Sequence, residues 1–81
     1  MNNLFVGNLS HSTSFIQLAD IFFKIGKVLN AKVAIDRDGS CKGYGFVEMA
    51  TESDAKRAIV ELNHTLVNGM KIEILEAKPN T

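Results

Sequence analysis

Eighty-one residues, 46% hydrophobic and 22% charged, make one small globular domain with room for a single core but not for a second lobe or a deep catalytic cleft. No apolar run approaches the roughly 18 residues of a membrane span, and the polar start Met1-Asn2-Asn3 lacks both the basic and the apolar part of a secretory signal, so a cytoplasmic protein without membrane contact is expected. The lone Cys41 excludes an internal disulfide and a cysteine-built zinc site, and a formal net charge of zero gives the whole molecule no field to draw in a polyanion, which counts mildly against nucleic acid.

Leu4-Phe5-Val6-Gly7 reads as a short strand with Leu4 and Val6 on one face and Phe5 on the other. Asn8 to Thr13 is loop by composition. Ser14 and Gln17 have capping-box spacing, and a helix follows. Leu18, Ile21, Phe22 and Ile25 form its apolar stripe, Phe15, Ile16 and Phe23 widen or flank that stripe as core or helix-edge residues, and Gly26 is its C-terminal stop. From Val28 the period changes to two: Ala31, Val33 and Ile35 share one side, Asn30, Lys32 and Ala34 the other. Asp36-Arg37-Asp38-Gly39-Ser40 turns the chain back into Lys42-Gly43-Tyr44-Gly45-Phe46-Val47-Glu48-Met49, so these two strands form an antiparallel hairpin. Thr51 and Asp54 open a second helix, with Ala55, Ala58, Ile59 and Leu62 on one face and Lys56, Arg57 and Glu61 turned outward. Asn63 to Met70 is a turn region holding Asn68-Gly69. Lys71 to Ala77 is a final strand with Ile72 and Ile74 inward, ended by Pro79.

The order βαββαβ predicts an α+β, ferredoxin-like sandwich: a four-stranded antiparallel sheet with two helices on one face. It forms one domain over residues 1–81, with its core at about 3–78. Two helices cover only one face of such a sheet, so the other is left to solvent or a partner. In the third strand Gly43, Gly45, Val47 and Met49 share the helix-facing parity, while Tyr44, Phe46 and Glu48 face outward. Because the first and third strands are central neighbours in this order, Phe5, Tyr44 and Phe46 are brought together on the uncovered face. Every nucleobase has a π-face, and a stack on such a ring is worth about 1–3 kcal/mol. The two glycines, costly inside a strand, then permit close packing against the helix layer or extra twist in the strand that carries the rings. Lys42 and Lys32 supply local cations on a neutral molecule.

At these residues the chain resembles the RNA recognition motif family. Lys42 to Met49 matches the family's octamer signature at every position but the last, and Leu4-Phe5-Val6-Gly7-Asn8-Leu9 looks like its hexamer signature. The resemblance implies that Phe5 and Tyr44 stack on successive bases, that Phe46 contacts sugars or wedges between them, and that Lys42 approaches phosphate. Lys32, Asn8 in the hexamer, Arg37 in the turn and Lys78 near the end complete the expected RNA-binding set. The short chain, its Gly-Phe-Val-Glu-Met run and its Ala77-Lys78-Pro79 end are similar to small stand-alone bacterial members. Met49 departs from the family's aromatic but points into the core, so it alters packing rather than the binding face. The turn holds two acids to one arginine, and Leu75 with Glu73 makes the last strand's outer edge less inviting to bases.

The expected function is non-catalytic binding of single-stranded RNA, with single-stranded DNA as a second ligand, by a monomer in post-transcriptional regulation; about two to four nucleotides would lie on the sheet. No nucleophile–base pair, phosphate-binding Gly-Lys-Ser/Thr loop, metal cluster or cofactor motif is visible in the sequence. Asp36 and Asp38 are too few for a calcium loop. Cys41 reads as a loop thiol, and His11 and His64 as loop residues, His11 lying where a loop could touch a ligand. The competing function is a protein-interaction module of the same fold, docking through its helices or the apolar Leu75 edge.

Overall fold

Residues 2–77 are described by the computed structural model; Lys78 and the remainder of the expected Lys-Pro end lie outside the described residues. The chain runs through β1 (Asn3–Gly7), α1 (Phe15–Phe23), β2 (Val28–Ile35), β3 (Cys41–Met49), α2 (Glu52–Leu62), β4 (Leu66–Val67), β5 (Met70–Lys71) and β6 (Glu73–Glu76). Four strands form an antiparallel sheet in the order β2-β3-β1-β6, and β4 pairs β5 in a separate two-stranded ribbon. This is the expected ferredoxin-like α+β arrangement, with β1 and β3 central.

Both helices begin where their capping chemistry dictates. The Ser14 hydroxyl accepts from the Gln17 backbone N–H at 3.2 Å while the Gln17 side chain accepts from the Ser14 N–H at 3.1 Å, a reciprocal pair that satisfies two otherwise orphaned donors. Thr51 accepts from the Asp54 N–H at 3.1 Å. The core lies between helices and sheet: Leu4 and Val6 of β1, Val47 and Met49 of β3 and Ile74 of β6 meet Leu18 and Phe22 of α1 and Ala55 and Ala58 of α2, all buried. The inward placement of Met49 agrees with its parity. Small alanines on α2 allow that helix to sit close to the sheet.

Several expectations are corrected. Phe15, Ile16 and Phe23 are 54–59% exposed, because α1 has one face to bury and Leu18 and Phe22 occupy it. Ile35 does not share the side of Ala31 and Val33, being 54% exposed where they are half-buried; the β2–β3 register shifts between Val33 and Ile35, and such a shift breaks strict alternation. Gly26 does not end α1 through a left-handed conformation. A side chain there would collide with the Asp54 carboxylate of α2, and Arg57 on that helix donates to the Ile25 carbonyl at 3.3 Å, so Gly26 permits the close approach of the two helix ends. Asn63 to Met70 is more than a turn: β4 and β5 pair around Asn68-Gly69, whose φ values of 51° and 85° are those of a two-residue hairpin turn. Lys71 belongs to that ribbon, leaving the last sheet strand as Glu73–Glu76.

The glycines of β3 differ in purpose. Gly45 lies against β2 rather than a helix: an added Cβ would stand 2.5 Å from the Lys32 carbonyl oxygen and 3.2 Å from the Val33 Cα. Gly43 has φ +109°, a region that L side chains rarely enter, at the point where β3 carries extra residues relative to β2. We expect Gly45→Ala to lower stability by about 1–3 kcal/mol, the usual cost of forcing atoms into a packed site. Val60→Ala, at an 80% exposed position, should stay within about 0.5 kcal/mol. Denaturant midpoints check both; equal midpoints would refute the close-approach role.

Candidate nucleic-acid interface

The antiparallel register of β1 and β3 sets Phe5 directly opposite Phe46 and Gly7 directly opposite Tyr44. All three rings touch. Phe5 and Tyr44 lie 5.9 Å apart between centroids at 24°, nearly parallel, while Phe46 stands edge-on to Phe5 at 5.6 Å and 70° and to Tyr44 at 6.2 Å and 88°. These are the geometries that the ring quadrupoles favour. The rings are not sealed by the contact: Tyr44 and Phe46 remain 38% and 37% exposed, and Phe5 is half-buried. Gly7, on the same parity as Phe5, contributes by having no side chain. A Cβ there would stand 3.0 Å from the Phe5 ring, so the ring lies along the strand over Gly7 and within stacking distance of Tyr44.

The cations around the rings are few. Lys32 on β2 is directly opposite Phe46, and Lys42 is exposed at the head of β3. Arg37 is exposed in the β2–β3 turn, whose backbone closes through Asp36 N–H to Ser40 O at 2.7 Å and Gly39 N–H to Asp36 O at 3.0 Å. The Ser40 hydroxyl and N–H donate to the Asp38 carboxylate at 2.6 and 3.0 Å, and these bonds, the hydroxyl foremost, hold its carboxyl below the usual value. The turn therefore presents two acids against one arginine. On β6, Leu75 is 60% exposed and directly opposite Phe5, extending the apolar surface by one strand; Glu73 is opposite Gly7.

Other expected contacts have structural duties. Asn8, at φ +60°, donates its side-chain amide to the Lys71 carbonyl at 2.6 Å, tying the loop after β1 to the ribbon. His11 Nδ1 donates to the Cys41 carbonyl at 3.0 Å, and the Cys41 N–H donates to the His11 carbonyl at 3.0 Å. Leu9 adds a bond from its N–H to the Gly43 carbonyl at 2.9 Å. The β1–α1 loop is thus stitched to the start of the ring-bearing strand. Cys41 is no loop thiol: it opens β3 and is buried.

The register also assembles a polar row that alternation alone leaves scattered. Asn3 of β1 and Asn30 of β2 both lie opposite Glu48 of β3. With Lys32 and Phe46 they line a shallow recess of about 380 Å³ on the open face. Outward parity marks Asn30, Lys32 and Glu48 individually in the sequence; the pairing that lines them up is decided across strands. Among the described residues no group of three or more His, Cys, Asp or Glu side chains could hold a metal ion, and no helix is long and apolar enough to cross a membrane.

Residues 4–73 match the RNA recognition motif family. Polyadenylate-binding protein 2 of Arabidopsis thaliana is 40% identical over 72 residues, which are 89% of this chain and 11% of that protein. The structure of an RNA binding protein named PG1 is 38% identical with a TM-score of 0.90, covering 100% of this chain and 99% of that one. The Sex-lethal protein in complex with RNA is 30% identical with a TM-score of 0.90 over 99% of this chain and 48% of that one. This chain spans between 11 and 23% of the length of the curated plant relatives it matches. Signatures, strand order and sequence likeness agree, and the chain belongs to the RNA recognition motif family.

Proposed function

We propose that this chain binds single-stranded RNA without catalysing a reaction on it, stacking unpaired bases on Phe5 and Tyr44, packing Phe46 against sugars or between bases, and steering phosphates with Lys42 and Lys32. The observation that carries the reading is the contiguous trio of half-exposed rings on the sheet face opposite both helices. A surface of three mutually packed aromatics open to water costs solvation that a stacked base recovers. RNA is named in the complex of the Sex-lethal relative, which supports the ligand class. The open ring face supports a single-stranded ligand, since bases inside a duplex present no free π-face. Arg37 and Lys78 are proposed as outer phosphate contacts, and Asn8 as the residue that holds the loop beside the bases. A monomer in a reducing cytoplasm fits the free, buried Cys41, and post-transcriptional control is the corresponding role.

Fluorescence anisotropy with labelled oligonucleotides of about eight nucleotides tests the site. Replacing Tyr44 or Phe5 by alanine should weaken RNA binding by about 1–3 kcal/mol each, roughly five- to 150-fold in Kd. The triple Ala variant should abolish binding while its circular dichroism still reports a folded chain. Unchanged affinity would refute the assignment. The deoxy counterparts measure how far the 2′-hydroxyl matters.

Salt dependence tests the electrostatics. With Lys32 and Lys42 as inner phosphate contacts and Arg37 and Lys78 as outer ones, log Kobs should fall against log salt with a slope between about −1.4 for the two lysines alone and about −2.8 for all four, from about −0.7 for each contact on a single strand. A slope of about −4 or steeper would mean that other cations carry the binding.

A further inference from the structure

We infer that the recess beside Phe46 is a base-reading subsite that selects guanine through the Glu48 carboxylate. The inference rests on the RNA reading above and adds to it a residue that reads a base edge rather than stacking on its face.

The recess lies at one end of the ring trio and is built across three strands: Asn3 from β1, Glu48 and Phe46 from β3, Asn30 and Lys32 from β2. Its volume of about 380 Å³ falls in the range of small-molecule sites, roughly 300–1,000 Å³. Among the described residues the side chains of Asn3, Asn30, Lys32 and Glu48 engage in no hydrogen bond or ion pair, so their donors and acceptors are available. Glu48 is half-buried between the two asparagines, whereas Glu73 on the far strand is exposed.

The chemistry of this set is selective. A carboxylate only accepts, with two oxygens side by side. Guanine alone among the four bases presents two adjacent donors, N1–H and the N2 amine, on its Watson–Crick edge. Adenine and cytosine each offer one amine beside a ring acceptor, and uracil offers one N–H flanked by two carbonyls that a carboxylate repels. Lys32, in the same recess, has three N–H donors on its ammonium, so it supplies one to the guanine O6 or N7, a pairing frequent for lysine, while another stays on the phosphate. Phe46 forms the apolar wall against which the base plane lies. Guanine thus satisfies both Glu48 oxygens and the Lys32 ammonium over the Phe46 wall, and the other bases leave a carboxylate oxygen unpaired.

The test uses the full chain and heptauridine RNAs carrying G, A, C, U or inosine at the central position, with Kd read by anisotropy. The wild-type chain should favour the G-containing RNA over the A, C and U forms by about tenfold, within the range for a bidentate edge contact. Inosine, which lacks the N2 amine, should lose most of that preference. Glu48→Gln, which turns one acceptor into a donor, should bring the G-to-A affinity ratio to near one. Glu73→Gln removes the same charge elsewhere and should shift all affinities together, leaving the ratio unchanged. Binding without a guanine preference, or a preference that survives in Glu48→Gln, overturns this subsite and leaves the stacking platform intact. Failure of every RNA to bind the wild-type chain overturns the RNA reading and the subsite with it.

Discussion

Phe5 faces Phe46, and Gly7 faces Tyr44, because β1 and β3 pair in an unbroken antiparallel register. Side chains alternate faces along a strand, so a slip of one residue in that pairing would turn one strand over, either driving Phe5 toward the helices and exposing Leu4 and Val6 or driving Tyr44 and Phe46 inward and exposing Val47 and Met49. The apolar set on the helix side, buried to 1% exposure or less, therefore holds the aromatic set on the open side. Core and candidate site are the two faces of the same strands, and the energy that packs one positions the other.

An open sheet face carrying exposed rings is a local conflict with burial, and the surrounding structure shows how it is sustained. The rings satisfy part of their surface by contact with one another. Gly7 gives Phe5 room to lie down, and Gly45 lets β2 come close to β3, which carries Lys32 to its place opposite Phe46. Behind the rings, the bonds joining His11 and Leu9 to Cys41 and Gly43 fix the head of β3, and Asn8 and Asn68 fasten the β4–β5 ribbon to the first loop and the start of α1. Polar side chains of the loops act here mainly as fasteners.

The charge distribution suits a modest electrostatic share of binding. Lys32 and Lys42 lie beside the rings, yet Glu48 and Glu73 occupy the same sheet, and the β2–β3 turn is acidic on balance. On a neutral chain with mixed charges on its open face, the proposed binding would rest on flat contact and on individual donors and acceptors.

Much of this was legible in the sequence. Period-two alternation in Leu4–Gly7 and Lys42–Met49, helical spacing in the two helices, and the Ser14 and Thr51 caps are local properties, each set by backbone geometry within a few residues, and they led to the sandwich and its ring trio. Local pattern could not say that Phe15, Ile16 and Phe23 stay exposed, since a helix rich in apolar residues all round leaves its buried face to be chosen by what packs on it. Nor could it separate Gly43, which needs a positive φ, from Gly45, which needs space, or foresee that Ile35 leaves the alternation at a register shift. The sequence alone determined which residues alternate, cap and turn, because those depend on near neighbours; only the tertiary structure decided that Asn3, Glu48 and Asn30 align across three strands, because strand register is settled by contacts between segments far apart in the chain.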